Sequence, residues 1–126
     1  MTILMDTDAC IEIIRGNPLP LGGHPEASFV TSWISGFEIL SGLRGQQASR
    51  SETRARAFLE ASQLQVFDAA AAAEAAKVRV YLEQAGQRIG AYDTLIAGHA
   101  IAMEVPLLTR NISEFKLVPS LRVLTW

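Results

Sequence analysis

Thr2-Ile3-Leu4-Met5-Asp6-Thr7-Asp8 is a short apolar run that stops at a carboxylate. Without alternation, a run this short reads as a strand buried on both faces, as in parallel sheets. Asp8 stands where an N-cap belongs, ahead of a helix with Cys10, Ile11 and Ile14 on one side. Gly16-Asn17-Pro18 ends that helix, and a loop continues through Pro20, Gly22-Gly23 and Pro25. The pattern then repeats. Ser28-Phe29-Val30-Thr31 predicts a second strand, followed by a helix from about Ile34 that carries Phe37, Glu38, Ile39, Leu40 and Leu43 and closes at Gly45.

Residues 50–62 predict a helix with Ala57, Phe58 and Ala61 inward and arginines outward. Leu64-Gln65-Val66-Phe67 predicts a third strand. Asp68 caps an alanine-rich helix whose Ala71, Ala75, Val78 and Leu82 line one face. Gly86 and Gly90 bracket a loop, and Asp93 opens a helix with Leu95, Ile96, Ala100 and Met103 as packing residues. Pro106-Leu107-Leu108-Thr109 is the fourth strand and Arg122-Val123-Leu124 the last. Strands alternating with helices indicate an α/β sandwich around a mainly parallel sheet, in a single domain over residues 1–126.

Composition limits the function. The 126 residues are 49% hydrophobic and 19% charged, with a mean hydropathy of +0.21. That excludes disorder and suggests surface buried against a partner. Eleven Lys and Arg against 13 Asp and Glu give a net charge of −2. A protein holding nucleic acid by bulk electrostatics is usually basic, so any such activity must rest on local chemistry. The single Cys10, the acids interrupting the first apolar run and the lack of a membrane-length span predict a cytoplasmic protein.

In an open α/β sheet, ligands bind outside the carboxyl ends of the strands. Asp6 ends strand one, Glu38 lies early in the helix after strand two, Asp93 starts a late helix, and Asn111 and Glu114 follow strand four. Gathered carboxylates repel one another and resist desolvation unless a cation compensates. Hard oxygen donors suit Mg²⁺ or Mn²⁺, which typically act on phosphates. Each acid also has an ordinary reading. Asp93 can be a cap, Glu114 a surface residue, and Glu38 part of a solvent face.

Four segments in order carry a resemblance: Leu4-Met5-Asp6-Thr7-Asp8, Phe37-Glu38-Ile39-Leu40-Ser41-Gly42-Leu43, Ile89 to Ala100 around Tyr92-Asp93, and Leu108-Thr109-Arg110-Asn111-Ile112-Ser113-Glu114-Phe115. Together with the ending Val118 to Trp126, they resemble PIN domains, and most closely the VapC toxins of type II toxin–antitoxin modules. The resemblance implies a PIN-like three-layer α/β/α sandwich. It also implies a Mg²⁺- or Mn²⁺-dependent endoribonuclease that leaves a 3′-hydroxyl and a 5′-phosphate. Asp6 and Asp93 are then the main metal ligands. Glu38 supports a ligand, a second ion or the attacking water, and Glu114 stands where the family frequently has Asp. Thr7 and Asn111 become substrate or supporting residues, and Arg110, beside Asn111 at the same edge, is by its position a candidate phosphate contact. A cognate antitoxin is the implied partner, the apolar helices themselves suggest a homodimer, and the RNA is left open, with tRNA among the candidates. Asp8 departs from the commoner Asn of the family.

Two further readings compete. Asp6-Thr7-Asp8 is also similar to aspartyl-phosphate phosphatases, although Cys10 departs from that pattern, and a non-catalytic partner-binding module would account for the apolar surplus. Arg44, Arg50, Arg54 and Arg56 form either a phosphate-tracking patch or a solvated helix face. His99 lies six residues after Asp93, so it points away from that acid and packs rather than ligates. His24 shares no metal-binding spacing with it. Cys10 reads as a small core residue, and Trp33 and Trp126 as anchors or base-stacking rings.

Overall fold

Ile3, Leu4 and Met5 are buried on alternate faces of one sheet, which makes the opening strand its centre. The structure is a computed structural model and describes residues 1–19, 25–43 and 50–126. The described strands are β1 (Thr2–Met5), β2 (Ser28–Ser32), β3 (Leu64–Gln65), β4 (Leu107–Leu108) and β5 (Val123–Leu124). The described helices are α1 (Thr7–Ile14), α2 (Trp33–Ser41), α3 (Arg50–Ala61), α4 (Ala69–Gln84), α5 (Ala91–Met103) and α6 (Ile112–Phe115). The strand order is β3-β2-β1-β4-β5, and all four pairings are parallel. The sheet is thus wholly parallel over the described strands, where the sequence predicted a mainly parallel one.

Strand β1 pairs with β2 on one flank, Leu4 opposite Val30, and with β4 on the other, Leu4 opposite Leu107. The chain therefore winds outward in both directions from β1. Such a reversal leaves a crevice at the carboxyl ends of the two strands that meet there. Asp6 follows β1 at that crevice and Thr109 follows β4.

Two apolar layers clamp the sheet. On one face Leu4, Val30 and Leu107 meet Val78 and Leu82 of α4 and Ile96, Ala97 and Ala100 of α5. On the other, Ile3, Met5 and Leu108 meet Ala9 and Cys10 of α1, Ile39 of α2 and Ala55 of α3. Full burial of each large side chain contributes roughly 1.5–3 kcal/mol, so these layers hold the site's scaffold. No helix among the described residues is long and apolar enough to cross a membrane.

Several local expectations shift. Asp6, not Asp8, caps α1: its Oδ1 accepts the Ala9 N–H at 2.8 Å, while Asp8 is exposed in the first turn. Both aspartates suit the role, and the buried one at the strand end takes it. On α1 only Cys10 of the expected face is fully buried, with Ile11 and Ile14 half-buried. In α3 the inward residue is Ala55, with Phe58 and Leu59 packed partly against it, whereas Ala57 and Ala61 are exposed. Interleaved arginines leave an apolar stripe too sparse to set the phase. Strand β3 ends at Gln65, short of the expected Phe67. Helix α2 ends at Ser41, and Gly45, Arg44 and His24 lie outside the described residues.

The α4 reading holds in every residue: Ala71, Ala75, Val78 and Leu82 are buried, and the Asp68 carboxylate accepts the Ala71 N–H at 2.9 Å. Replacing Asp68 with Ala leaves that N–H unsatisfied and lowers stability by about 1 kcal/mol in urea unfolding. An unchanged midpoint would show that the cap contributes nothing.

Candidate active site

Asp6 is 3% exposed and both of its carboxylate oxygens are engaged. Oδ1 takes the Ala9 N–H, and Oδ2 takes the hydroxyl of Thr109 at 2.5 Å. Thr109 in turn accepts the Asn111 N–H at 2.9 Å. Its one proton and its lone pairs thereby tie the end of β1 to the loop after β4. Burial, helped by the charges of Asp8 and Glu38 and opposed by the bonds from Thr109 and Ala9, raises the Asp6 carboxyl to about 6.

A second relay orients Glu38. The Thr7 hydroxyl donates to Glu38 Oε1 at 2.6 Å, and Thr7 Oγ1 lies 2.9 Å from the buried Ser35 Oγ. Because the only Thr7 hydroxyl proton is on Glu38, Ser35 must be the donor to Thr7. Helix α1 thus positions an acid carried by α2.

Asp93 is the third residue of α5 and is half-buried. It is not a side-chain cap: Gly90 holds that position, and no side-chain capping bond is made there. The ordinary reading of Asp93 thus fails. Its carboxyl rises to about 7, first through burial and then through the neighbouring Glu114, Asp6 and Glu38 carboxylates. Glu114 is the neighbouring acid that raises Asp93 most, and its Oε2 accepts the Asn111 side-chain N–H at 3.0 Å.

The fold therefore brings Asp6, Glu38, Asp93 and Glu114 into one electrostatic field at the crevice, from four distant chain segments. It does not close them into a cage: among the described residues no three His, Cys, Asp or Glu side chains already surround a single ion position. Repulsion among uncompensated carboxylates favours that spread. The donor set is all oxygen, which suits a hard divalent cation, and softer ligands are turned away. Cys10 is buried in the core, its Sγ 3.8 Å from Thr31 Oγ1, with burial pushing the thiol up to about 12. The His99 ring is buried, with Nδ1 2.9 Å from Ser32 Oγ and Phe67 packed edge-on. Burial lowers its pKa.

Arg110 is exposed, and its guanidinium lies over the Trp126 ring at 4.7 Å. No ion pair joins it to the four acids among the described residues. Trp126 is partly buried against the core, whereas Trp33 is half exposed. Arg50, Arg54 and Arg56 are exposed on α3, with Arg56 3.1 Å from Glu52. A cavity of about 600 Å³ between α4 and α5 includes none of the four acids in its walls.

Sequence reasoning missed Thr109 and Ser35. Thr109 had a usable signal, the strand-end position shared with Asp6. Ser35 had none, because its role depends on the approach of α1 to α2.

The raised carboxyls set a pH dependence. Folded values of about 6 and about 7 exceed the ordinary 3.8, so the folded state binds more protons between those limits. The stabilisation from the two acids is complete below the ordinary value and lost as pH rises through about 7. In EDTA the stability should fall by about 1–3 kcal/mol from pH 5 to pH 8, and Mg²⁺ at pH 8 should restore it. A flat profile in thermal denaturation would refute the coupling.

The family model for the PIN domain matches residues 3–120. The chain belongs to the PIN-domain family. This PIN domain is 28% identical to the tRNA(fMet)-specific endonuclease VapC of Salmonella typhimurium, over 100% of this chain and 98% of that protein. It is 30% identical to ribonuclease VapC2 of Rickettsia felis, with the same coverage. Among solved structures, VapBC2 of Rickettsia felis bound to a promoter DNA fragment matches with a TM-score of 0.88 and 29% identity, covering 100% of this chain and 99% of that one. DNA-bound VapBC of Salmonella typhimurium matches with a TM-score of 0.87 and 25% identity, covering 100% and 98%. The three-layer arrangement of this PIN domain is thus shared with VapC toxins, and an aspartyl-phosphate phosphatase is no longer a competing reading.

Proposed function

We propose that this PIN domain is the ribonuclease toxin of a type II toxin–antitoxin pair, hydrolysing RNA phosphodiester bonds with Mg²⁺ or Mn²⁺. The observation that carries this reading is the coupling of Asp6, Glu38, Asp93 and Glu114 at the crevice between β1 and β4. Asp6 and Asp93 would hold the ion, with Glu114 supporting Asp93 from α6. When bound, the ion supplies a Lewis-acidic centre that activates water and offsets charge on the leaving oxygen.

The chain's own groups position the rest. Thr109 and the Ala9 N–H fix the Asp6 carboxylate. Thr7 fixes Glu38 through Oε1, which leaves Oε2 as the acceptor for a proton from the attacking water. Water adds to phosphorus as the bond to O3′ breaks, the leaving O3′ takes a proton from solvent water and Glu38 returns its own to solvent, so the products carry a 3′-hydroxyl and a 5′-phosphate. Asn111 is held by Glu114 and supports the substrate side of the crevice. Arg110, held over Trp126, offers a phosphate contact at the same sheet edge.

The name of the Salmonella relative supports tRNA as the substrate, and the VapBC complexes support an antitoxin partner. Exposed Val80 and Tyr81 on α4 support a second copy of the chain as a further partner. Such a pair works in the cytoplasm, where its RNA is found. The test is to incubate the purified protein with total RNA and with tRNA, with Mg²⁺ or with EDTA, and to map the cut ends. Discrete cuts that require the metal are expected. Equal cutting in EDTA, or ends bearing a 3′-phosphate, would overturn the reading.

A further inference from the structure

Phe37 immediately precedes Glu38, and Tyr92 immediately precedes Asp93. The two rings come from different helices, α2 and the first turn of α5, and they meet beside the acids. Their centroids are 5.6 Å apart with the planes tilted by 54°. Both remain open to solvent, Phe37 at 52% and Tyr92 at 46%. Neither belongs to the two apolar layers that clamp the sheet. The pair therefore adds little to the core, and it forms an exposed aromatic wall one residue from two of the four carboxylates.

Charge decides what such a wall is for. The chain carries a net charge of −2 and gathers its acids where the RNA phosphate must arrive. Carboxylates offer a phosphate no donor, and the ion they would hold serves the bond that is cut, so the flanking nucleotide gains little from phosphate contacts beside Glu38 and Asp93. Stacking on aromatic side chains needs no positive charge, and it tolerates any sequence because every base has a π-face.

We propose that Phe37 and Tyr92 form a stacking subsite for one unpaired base next to the bond that is cut. This deepens the ribonuclease reading and rests on it. The subsite holds the nucleotide by its base while the acids handle the phosphate, so a base that remains paired cannot occupy it. An apolar segment of a protein partner is the competing occupant, because Trp33 and Leu40 extend the exposed face of α2 beside Phe37.

The test uses a synthetic RNA oligonucleotide spanning the mapped cut, and versions in which each nucleotide flanking the cut is abasic in turn. Cleavage of intact and abasic RNA is compared for the wild type and for Phe37→Leu, Tyr92→Leu and Tyr92→Phe. At one position the wild type should prefer the intact RNA by about tenfold in kcat/KM. Both leucine variants should lose that preference and Tyr92→Phe should keep it. A merely structural loss lowers both rates and leaves the ratio intact, so an undiminished preference in the leucine variants overturns the proposal. No abasic penalty at any position also overturns it. So do leucine variants with wild-type RNA kinetics that no longer bind the antitoxin, because the face then belongs to the protein partner. Absence of all RNA cleavage by the wild type would instead remove the ribonuclease reading, and this subsite with it.

Discussion

Replacing Asp93 with Asn lowers RNA cleavage by about 10²–10³-fold while the metal-free fold becomes more stable. The activity loss follows from removing a charged donor from the site that must hold a divalent cation; single electrostatic donors in active sites are typically worth about 10²–10³-fold. The stability gain follows from the same charge. Burial and three neighbouring carboxylates, Glu114 first, raise the Asp93 carboxyl to about 7, so its ionised form is disfavoured in the fold. Asn is uncharged and nearly isosteric, so it removes the repulsion with little change in packing. At pH 8 in EDTA the variant should gain about 1–3 kcal/mol over the wild type in urea unfolding. Mg²⁺ should stabilise the wild type and leave the variant almost unchanged. A variant that cleaves at the wild-type rate with the same metal requirement would remove Asp93 from the site.

Among the described glycines, Gly98→Ala should be the most damaging substitution. Gly98 is buried on α5, and a Cβ there would lie 2.3 Å from both Cα and N of Ala75 on α4. Those are backbone atoms, so no side-chain rotation relieves the clash, and the two helices must separate. That opens the layer formed by Val78, Leu82, Ile96, Ala97 and Ala100. Overpacking of this kind typically costs about 1–3 kcal/mol, and a backbone clash lies at or above the upper end. The roughly 1 kcal/mol gain in helix propensity from Gly to Ala is too small to offset it. Against a domain stability of roughly 5–15 kcal/mol, the variant should accumulate poorly as folded protein. It should also lose activity, since α5 carries Asp93. Adding Ala75→Gly removes only the Ala75 Cβ contact at 2.5 Å and should recover little, because the Cα and N contacts remain. A single variant within 0.5 kcal/mol of wild type, roughly the range of neutral surface changes, would show that the helices do not approach so closely.

How far the site could be read before folding depends on the reach of each interaction. The four acids were legible because each sits at a recognisable element end, and parallel sheets gather their ligands at one edge. The partners that orient them were not. Thr109 is 103 residues from Asp6, and Thr7 is 31 from Glu38. No periodicity links residues that far apart. Asp8 suits a cap, and Asp93 allows that reading beside the metal-ligand one, because a carboxylate near a helix start satisfies the capping rule locally. The structure gives the α1 cap to Asp6, which the strand buries at the crevice, and leaves Asp93 in the electrostatic field of Glu114.

The sequence by itself determined the alternation of strands and helices, the doubly buried central strand, the buried face and cap of α4, and the positions of the acids along the chain. All of these rest on local propensity and short-range burial patterns, which each segment carries alone. Tertiary structure decided which face of α3 turns inward, how α4 and α5 close over Gly98, which hydroxyl holds which carboxylate, and that Phe37 and Tyr92 meet beside the acids. It decided them because close packing and charge coupling are set by distance in space, and only the folded sheet brings those segments within reach of one another.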